Sequence, residues 1–164
     1  MRKFEKISFE QFKKDISDDK NLYEEYDIPS RETTHSAGYD FHALEDMVIK
    51  PEQIVKLPTG IKASMEDDEV LYILVRGNQG FKYNVRLCNQ VGVIDKDYYN
   101  NPGNEGHIWI ALQNEGKEDY VIKKGQGIAQ GIFAKYLLTD DDDKYEKDKR
   151  MGQNDYLKRS DNNG

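Results

Sequence analysis

Three short stretches carry residue types that could do chemistry. In Ala37-Gly38-Tyr39-Asp40 a glycine permits close backbone approach and an acid follows soon after. In Arg76-Gly77-Asn78-Gln79-Gly80 an arginine stands at the mouth of a glycine-bearing turn. Exposed backbone N–H groups beside a guanidinium suit a phosphate. In Gly92-Val93-Ile94-Asp95-Lys96-Asp97-Tyr98 an apolar strand end delivers two acids and an aromatic. Singly, each has an ordinary structural reading, since a glycine turn near an arginine is commonly a hairpin and an aspartate after a strand a turn former. His35, His42 and His107 show no metal-ligand spacing.

These stretches must be positioned by strands. Val70 to Val75 is an unbroken apolar run, and periodicity alone does not separate a buried strand from a buried helix. Its shortness, its β-branched residues and the glycine turn that follows favour a strand covered on both faces. Val85 and Leu87 alternate with Arg86 and Cys88 before Asn89-Gln90-Val91-Gly92, which reads as a turn. Ile108, Ile110 and Leu112 form one apolar face with Trp109 opposite, and Ile128, Gln130 and Ile132 alternate with smaller or aromatic neighbours. Turn signals recur at Pro58-Thr59-Gly60, Asn101-Pro102-Gly103 and Lys124-Gly125. Many short strands between turns predict an all-β barrel or sandwich. Ahead of it, Ser8 to Lys20 reads as a helix, with Ser8 and Gln11 as a capping box and Phe9, Phe12 and Ile16 on one face. The expected organisation is a helical extension over 1–28, a β-domain over 29–138 and a polar arm over 139–164.

Composition narrows the classes further. The 164 residues suit one domain, and 24 basic against 31 acidic residues give a net charge of −7. A general nucleic-acid grip needs clustered Lys and Arg, so nucleic acid is not an expected partner. Only 37% of the residues are apolar, which predicts a thin monomer core relieved by oligomerisation. Cys88 is the single cysteine, so intramolecular disulfides and Cys-rich zinc sites are excluded. No secretory leader is expected and no apolar run approaches membrane-spanning length, so the expectation is a cytoplasmic protein without membrane contact.

Taken in order, the motifs resemble those of the trimeric dUTPase family over about Pro29 to Phe133. Ser36-Ala37-Gly38-Tyr39-Asp40 matches the first motif, Arg76 to Lys82 the second, and Asn89 to Tyr98 (NQVGVIDKDY) the third and most specific. Gly125-Gln126-Gly127-Ile128-Ala129-Gln130 matches the fourth. Four ordered matches at strand ends make coincidence a poor account of them. The resemblance implies a distorted jelly-roll barrel of the β-clip type with an added N-terminal helix, assembled as a homotrimer.

The resemblance also implies hydrolysis of dUTP to dUMP and pyrophosphate. Asp95 would activate the attacking water, and Mg2+ would sit on the triphosphate and its waters, with no protein residue binding it directly. Asn89, Gly92, Val93 and Ile94 would read the uracil, and Tyr98 would pack on the deoxyribose. Arg76, Gly77, Asn78, Gln130 and Arg150 would serve the phosphates, with Asp40 in support. The departures share one direction. Gly77 stands where the family has serine, Asn78 where a small residue is usual, and Gly127 where arginine is common. In the fifth motif Arg150-Met151-Gly152 begins in the family manner, but Gln153 to Lys158 does not continue it. All of these fall on phosphate binding and closure of a C-terminal lid, for which Tyr156, Lys158 and Arg159 are the available replacements. Two readings follow: a dUTP diphosphatase of reduced activity, or a weakened relative that binds dUTP as a nucleotide sensor or protein-interaction module.

Overall fold

Alternating apolar residues build short strands along most of the chain, which this computed structural model describes over residues 1–144 and 146–148. In order these are β1 (Lys3–Lys6), α1 (Phe9–Asp15), α2 (Lys20–Glu25), β2 (Tyr39–His42), β3 (Met47–Ile49), β4 (Ile54–Pro58) and β5 (Ile61–Ser64). Then come β6 (Glu69–Leu74), α3 (Gly77–Phe81), β7 (Val85–Leu87), β8 (Gly92–Asp95), β9 (Trp109–Asn114), β10 (Tyr120–Ile122) and β11 (Gly127–Lys135). The predominance of short strands matches the predicted all-β class.

The strands pair antiparallel in four small sheets, β2-β11-β6-β8, β4-β9-β7, β1-β5 and β3-β10. Phe41, Leu71, Ile73 and Ile128 of the first sheet are buried in the same core as Leu57, Leu87, Ile110 and Leu112 of the second. Each such side chain contributes roughly 1.5–3 kcal/mol relative to exposure. Trp109 is exposed while Ile108 and Ile110 are buried, as the alternation predicts.

The predicted helix from Ser8 to Lys20 is shorter and divided. Ser8 Oγ accepts from the Gln11 N–H at 3.1 Å, as a cap should. The reciprocal half of the capping box does not form. Gln11 Nε2 donates to Asp15 instead, and the Ser8 N–H donates to Glu105 at 2.7 Å. α1 ends at Asp15, and a second cap, Asp19, receives the N–H groups of Asn21 and Leu22 to start α2. Phe12, Leu22 and Tyr26 are buried, so this segment packs into the main core.

His107 joins the segment to the barrel. Its side chain is 0% exposed, and Nε2 accepts from the Gly60 N–H at 2.9 Å. Nδ1 therefore carries the proton and donates to Asp15 at 2.6 Å. Burial pushes the His107 pKa down, against the pull of Asp15 in the other direction.

Candidate active site

β6 delivers Arg76 to one end of the four-stranded sheet. The stretch Arg76 to Gly80 is not the open turn that its glycines suggest, because Gly77–Phe81 closes a short helix on Arg76 as N-cap. Gln79, three residues on, accepts from the Arg76 N–H at 2.9 Å through Oε1. Its Nε2 donates to the carbonyl of Ile128 at 2.7 Å, so a buried glutamine ties this corner to β11. Gln79 is a positioning residue that the sequence reading passed over. The available signal was a glutamine at the third helical position.

The arginine side chain lies across the strand ends. Arg76 Nε is 3.1 Å from Asp40 on β2, and Asp40 stands opposite Gln130 on β11. Gln130 Nε2 donates to the carbonyl of Val75 at 3.0 Å, holding the entry to α3. Glu32 reaches Arg76 Nη2 at 3.2 Å and is itself 71% exposed. These residues, with Ser36, Gly38, Gly77 and Asn78, line an open cleft of about 320 Å³. An entering phosphate would compete with Glu32 for the guanidinium, while Asp40 keeps the arginine in place. Nothing in the polar stretch Ser30 to Ser36 marked Glu32 in advance.

Two glycines make room for these side chains. A Cβ at Gly127 would stand 2.8 Å from Arg76 Nη1 and 2.9 Å from its Cδ. A Cβ at Gly38 would meet Gln130 Oε1. The absence of a larger side chain at Gly127 thus has a local reason, since Arg76 lies over its bare backbone. Gly77 differs, because a Cβ there meets nothing within 4 Å and serine would fit. Gly127→Ala is expected to displace the guanidinium and lower turnover by about tenfold to a hundredfold, with the melting temperature nearly unchanged. Full activity in that variant would show that the Arg76 pose is not required.

The third motif crosses from one sheet to another, because β7 pairs with β9 and β8 with β6. β7 turns through Asn89 and the left-handed Gln90 (φ 62°) into β8, where Gly92 stands opposite Ile73. A Cβ at Gly92 would be 3.0 Å from Ile73 Cβ and 3.8 Å from Asn89 Nδ2, so the Asn89 amide lies close over this glycine. Val93 is exposed and Ile94 half-buried. Asp95 ends β8 in an exposed position opposite Val70, followed by a tight helical turn over Lys96–Tyr98. Lys96 pairs with Asp67. The half-buried Tyr98 donates its hydroxyl to the carbonyl of His107 at 2.7 Å.

The two groups do not meet within one chain. Asp95 is level with Val70, whereas Arg76 lies six residues further along the same strand direction. At about 3.3 Å per residue, that offset is about 20 Å. One chain therefore presents two partial sites, with Arg76, Asp40 and Gln130 at one end of β6 and Asp95 and Tyr98 towards the other.

The dUTPase family model matches residues 24–155. The chain belongs to the dUTPase family. It is 48% identical to the deoxyuridine 5'-triphosphate nucleotidohydrolase of Lactococcus lactis over 125 residues, covering 76% of this chain and 83% of that protein. It is 40% identical to the Rickettsia felis enzyme of the same name over 111 residues, covering 66% and 71% of the two chains. The crystal structure of dUTPase from Streptococcus mutans superposes with a TM-score of 0.68 at 43% identity, covering 85% of this chain and 99% of that one. A dUTPase from phage phi11 of S. aureus, which coordinates a structural Mg(II) ion, shares the fold at a TM-score of 0.62 and 16% identity, covering 92% and 97%.

Within this family frame, the first four motifs of the chain all fall on described residues, in or beside β2, α3, β8 and β11. Arg150 and the candidate lid residues Tyr156, Lys158 and Arg159 lie outside the described residues. Among the described residues no three His, Cys, Asp or Glu side chains are placed to share a metal ion. No helix there is long and apolar enough to cross a membrane.

Proposed function

We propose that the chain hydrolyses dUTP to dUMP and pyrophosphate as a cytoplasmic homotrimer. The observation that carries this reading is the exposed Asp95 at the end of β8, in a chain of the dUTPase family. Water attacks the α-phosphorus, the bond to the β-phosphate bridge oxygen breaks, and Asp95 takes the water's proton. A carboxylate is a weak base, so it serves only where the water is held in line and the phosphate charge is offset.

Each side chain has a share in that arrangement. Arg76, braced by Asp40, binds the phosphates with the Gly77 and Asn78 backbone, and Gln130 holds the loop that carries them. The Asn89 amide and the backbone of Gly92, Val93 and Ile94 read the uracil edge. Cytosine exchanges donor and acceptor there and would leave buried polar groups unpaired. Tyr98 packs on the deoxyribose, and the match to the family's fifth motif assigns Arg150 to the phosphates. The donor set suits an ion carried by phosphate oxygens and water, as Mg2+ prefers. When bound, it offsets phosphate charge. Because Arg76 and Asp95 stand about 20 Å apart along β6, a single nucleotide takes them from different subunits.

A second reading rests on Gly77, which offers no hydroxyl at a position where serine would fit. It makes the chain a dUTP-binding sensor or interaction module with little turnover. Pyrophosphate release from dUTP with Mg2+, run beside dTTP, dCTP and UTP, separates the two. Rapid release selective for dUTP is the expected result. Binding of dUTP without release would transfer the case to the second reading, and neither binding nor release would overturn both.

A further inference from the structure

The thirteen residues between β8 and β9, 96–108, form an irregular loop. Asn100 (φ 57°), Gly103 (φ 89°), Glu105 (φ 60°) and Gly106 (φ 77°) are all left-handed, and two of the four are not glycine. Such backbone persists where surrounding contacts hold it. Lys62 of β5 supports the loop at Asn100 and Glu105, and the N-terminal segment adds contacts at three separate points. Tyr99 Oη donates to Glu5 at 2.8 Å. The Glu105 carboxylate accepts from both the N–H and the hydroxyl of Ser8, at 2.7 and 2.6 Å, and pairs with Lys62 at 2.9 Å. Asp15 accepts from the fully buried His107 at 2.6 Å.

These ties converge on Tyr98. Its hydroxyl donates to the His107 carbonyl, and Asn104 Nδ2 lies 3.4 Å from the same oxygen. The His107 ring is gripped on both nitrogens, by Gly60 and by Asp15, so its carbonyl is held in one orientation. We propose that Asp15, through His107, is a positioning residue that sets the Tyr98 ring for discrimination between deoxyribose and ribose nucleotides. The N-terminal segment then works as a clamp on the sugar platform. This rests on the reading of Tyr98 as the surface on which the deoxyribose packs. A 2'-hydroxyl is rejected only if the ring cannot recede, and a pinned hydroxyl prevents that.

The test measures kcat and KM for dUTP and UTP in the full chain carrying Asp15→Ala, Asp15→Asn, Tyr98→Phe or Tyr98→Ala. Asp15→Ala is expected to lower the dUTP-to-UTP ratio of kcat/KM at least tenfold, chiefly through KM. Asp15→Asn keeps an oxygen acceptor for His107 and is expected to restore most of the ratio. Tyr98→Phe removes the pinned hydroxyl alone and is expected to reproduce the loss, and adding Asp15→Ala to it should add little further. A ratio within twofold of wild type in Asp15→Ala, with Tyr98→Ala clearly lowered, would overturn the clamp and leave Tyr98 as the platform. A ratio unchanged in Tyr98→Ala would overturn the platform reading itself. Should Asp15→Ala fail to fold, an unchanged ratio in Tyr98→Phe overturns the clamp on its own.

Discussion

Asp95→Asn is expected to lose turnover of dUTP by about a hundredfold to ten-thousandfold, the range that a positioned general base supplies. The substitution preserves shape, and Asp95 is exposed at a strand end, so the fold should survive it. An amide still holds a water by hydrogen bonding but takes no proton from it. Nucleotide affinity should stay within about tenfold, or ~1.4 kcal/mol, because Arg76, Asn89 and the backbone of Gly92 to Ile94 are untouched. Pyrophosphate release gives the rate, and equilibrium binding of a non-hydrolysable dUTP analogue gives the affinity. Unchanged turnover would remove Asp95 from its role as base. Lost binding with lost turnover would make it a structural or substrate-holding residue instead.

Arg76→Ala and Asp95→Asn proteins, each nearly inactive alone, are expected to regain activity when their subunits are exchanged. The reason is the distance between the two residues along β6. If a site takes Arg76 from one subunit and Asp95 from the next, an equal random mixture leaves both intact in about one site in four. Activity should therefore rise to about a quarter of wild type after partial denaturation and joint refolding. If both residues served the same site from one chain, every site would carry one lesion and the mixture would stay inactive. With an affinity tag on one variant only, the untagged variant must be retained with it after refolding, so that a negative result reflects the site and not failed exchange.

The strands were readable because local pattern and burial agree. Leu71 and Ile73 share one buried face of β6, and Ile110 and Leu112 repeat that spacing on β9. The Arg76 turn was readable as a phosphate site from its residue types, while Asp95, Asn89 and Tyr98 took their roles from the resemblance of the ordered motifs to the dUTPase family. What local pattern does not carry is the identity of distant partners. Ser8 and Gln11 spell a capping box, yet Glu105, far along the chain, takes the N–H that Gln11 would have received. The turn chemistry of Arg76 to Gly80 resembled a hairpin because Gln79 does its work by reaching β11. Glu32 had no signature, since its role comes only from the fold bringing it to Arg76.

The position of β11 bears on how the chain is made. It lies between β2 and β6 in the four-stranded sheet, and it is the last strand among the described residues. While the protein is being synthesised, β2 and β6 emerge early and wait, each with an unpaired edge, until Gly127 to Lys135 leave the ribosome. Pairing across such sequence separations is slow, and open edges invite neighbouring chains. A message broken before that strand would yield a nascent chain with most of the core residues and no way to close the sheet. The arrival of β11 is thus the step that closes this sheet, and chaperone dependence should concentrate in the interval before it appears.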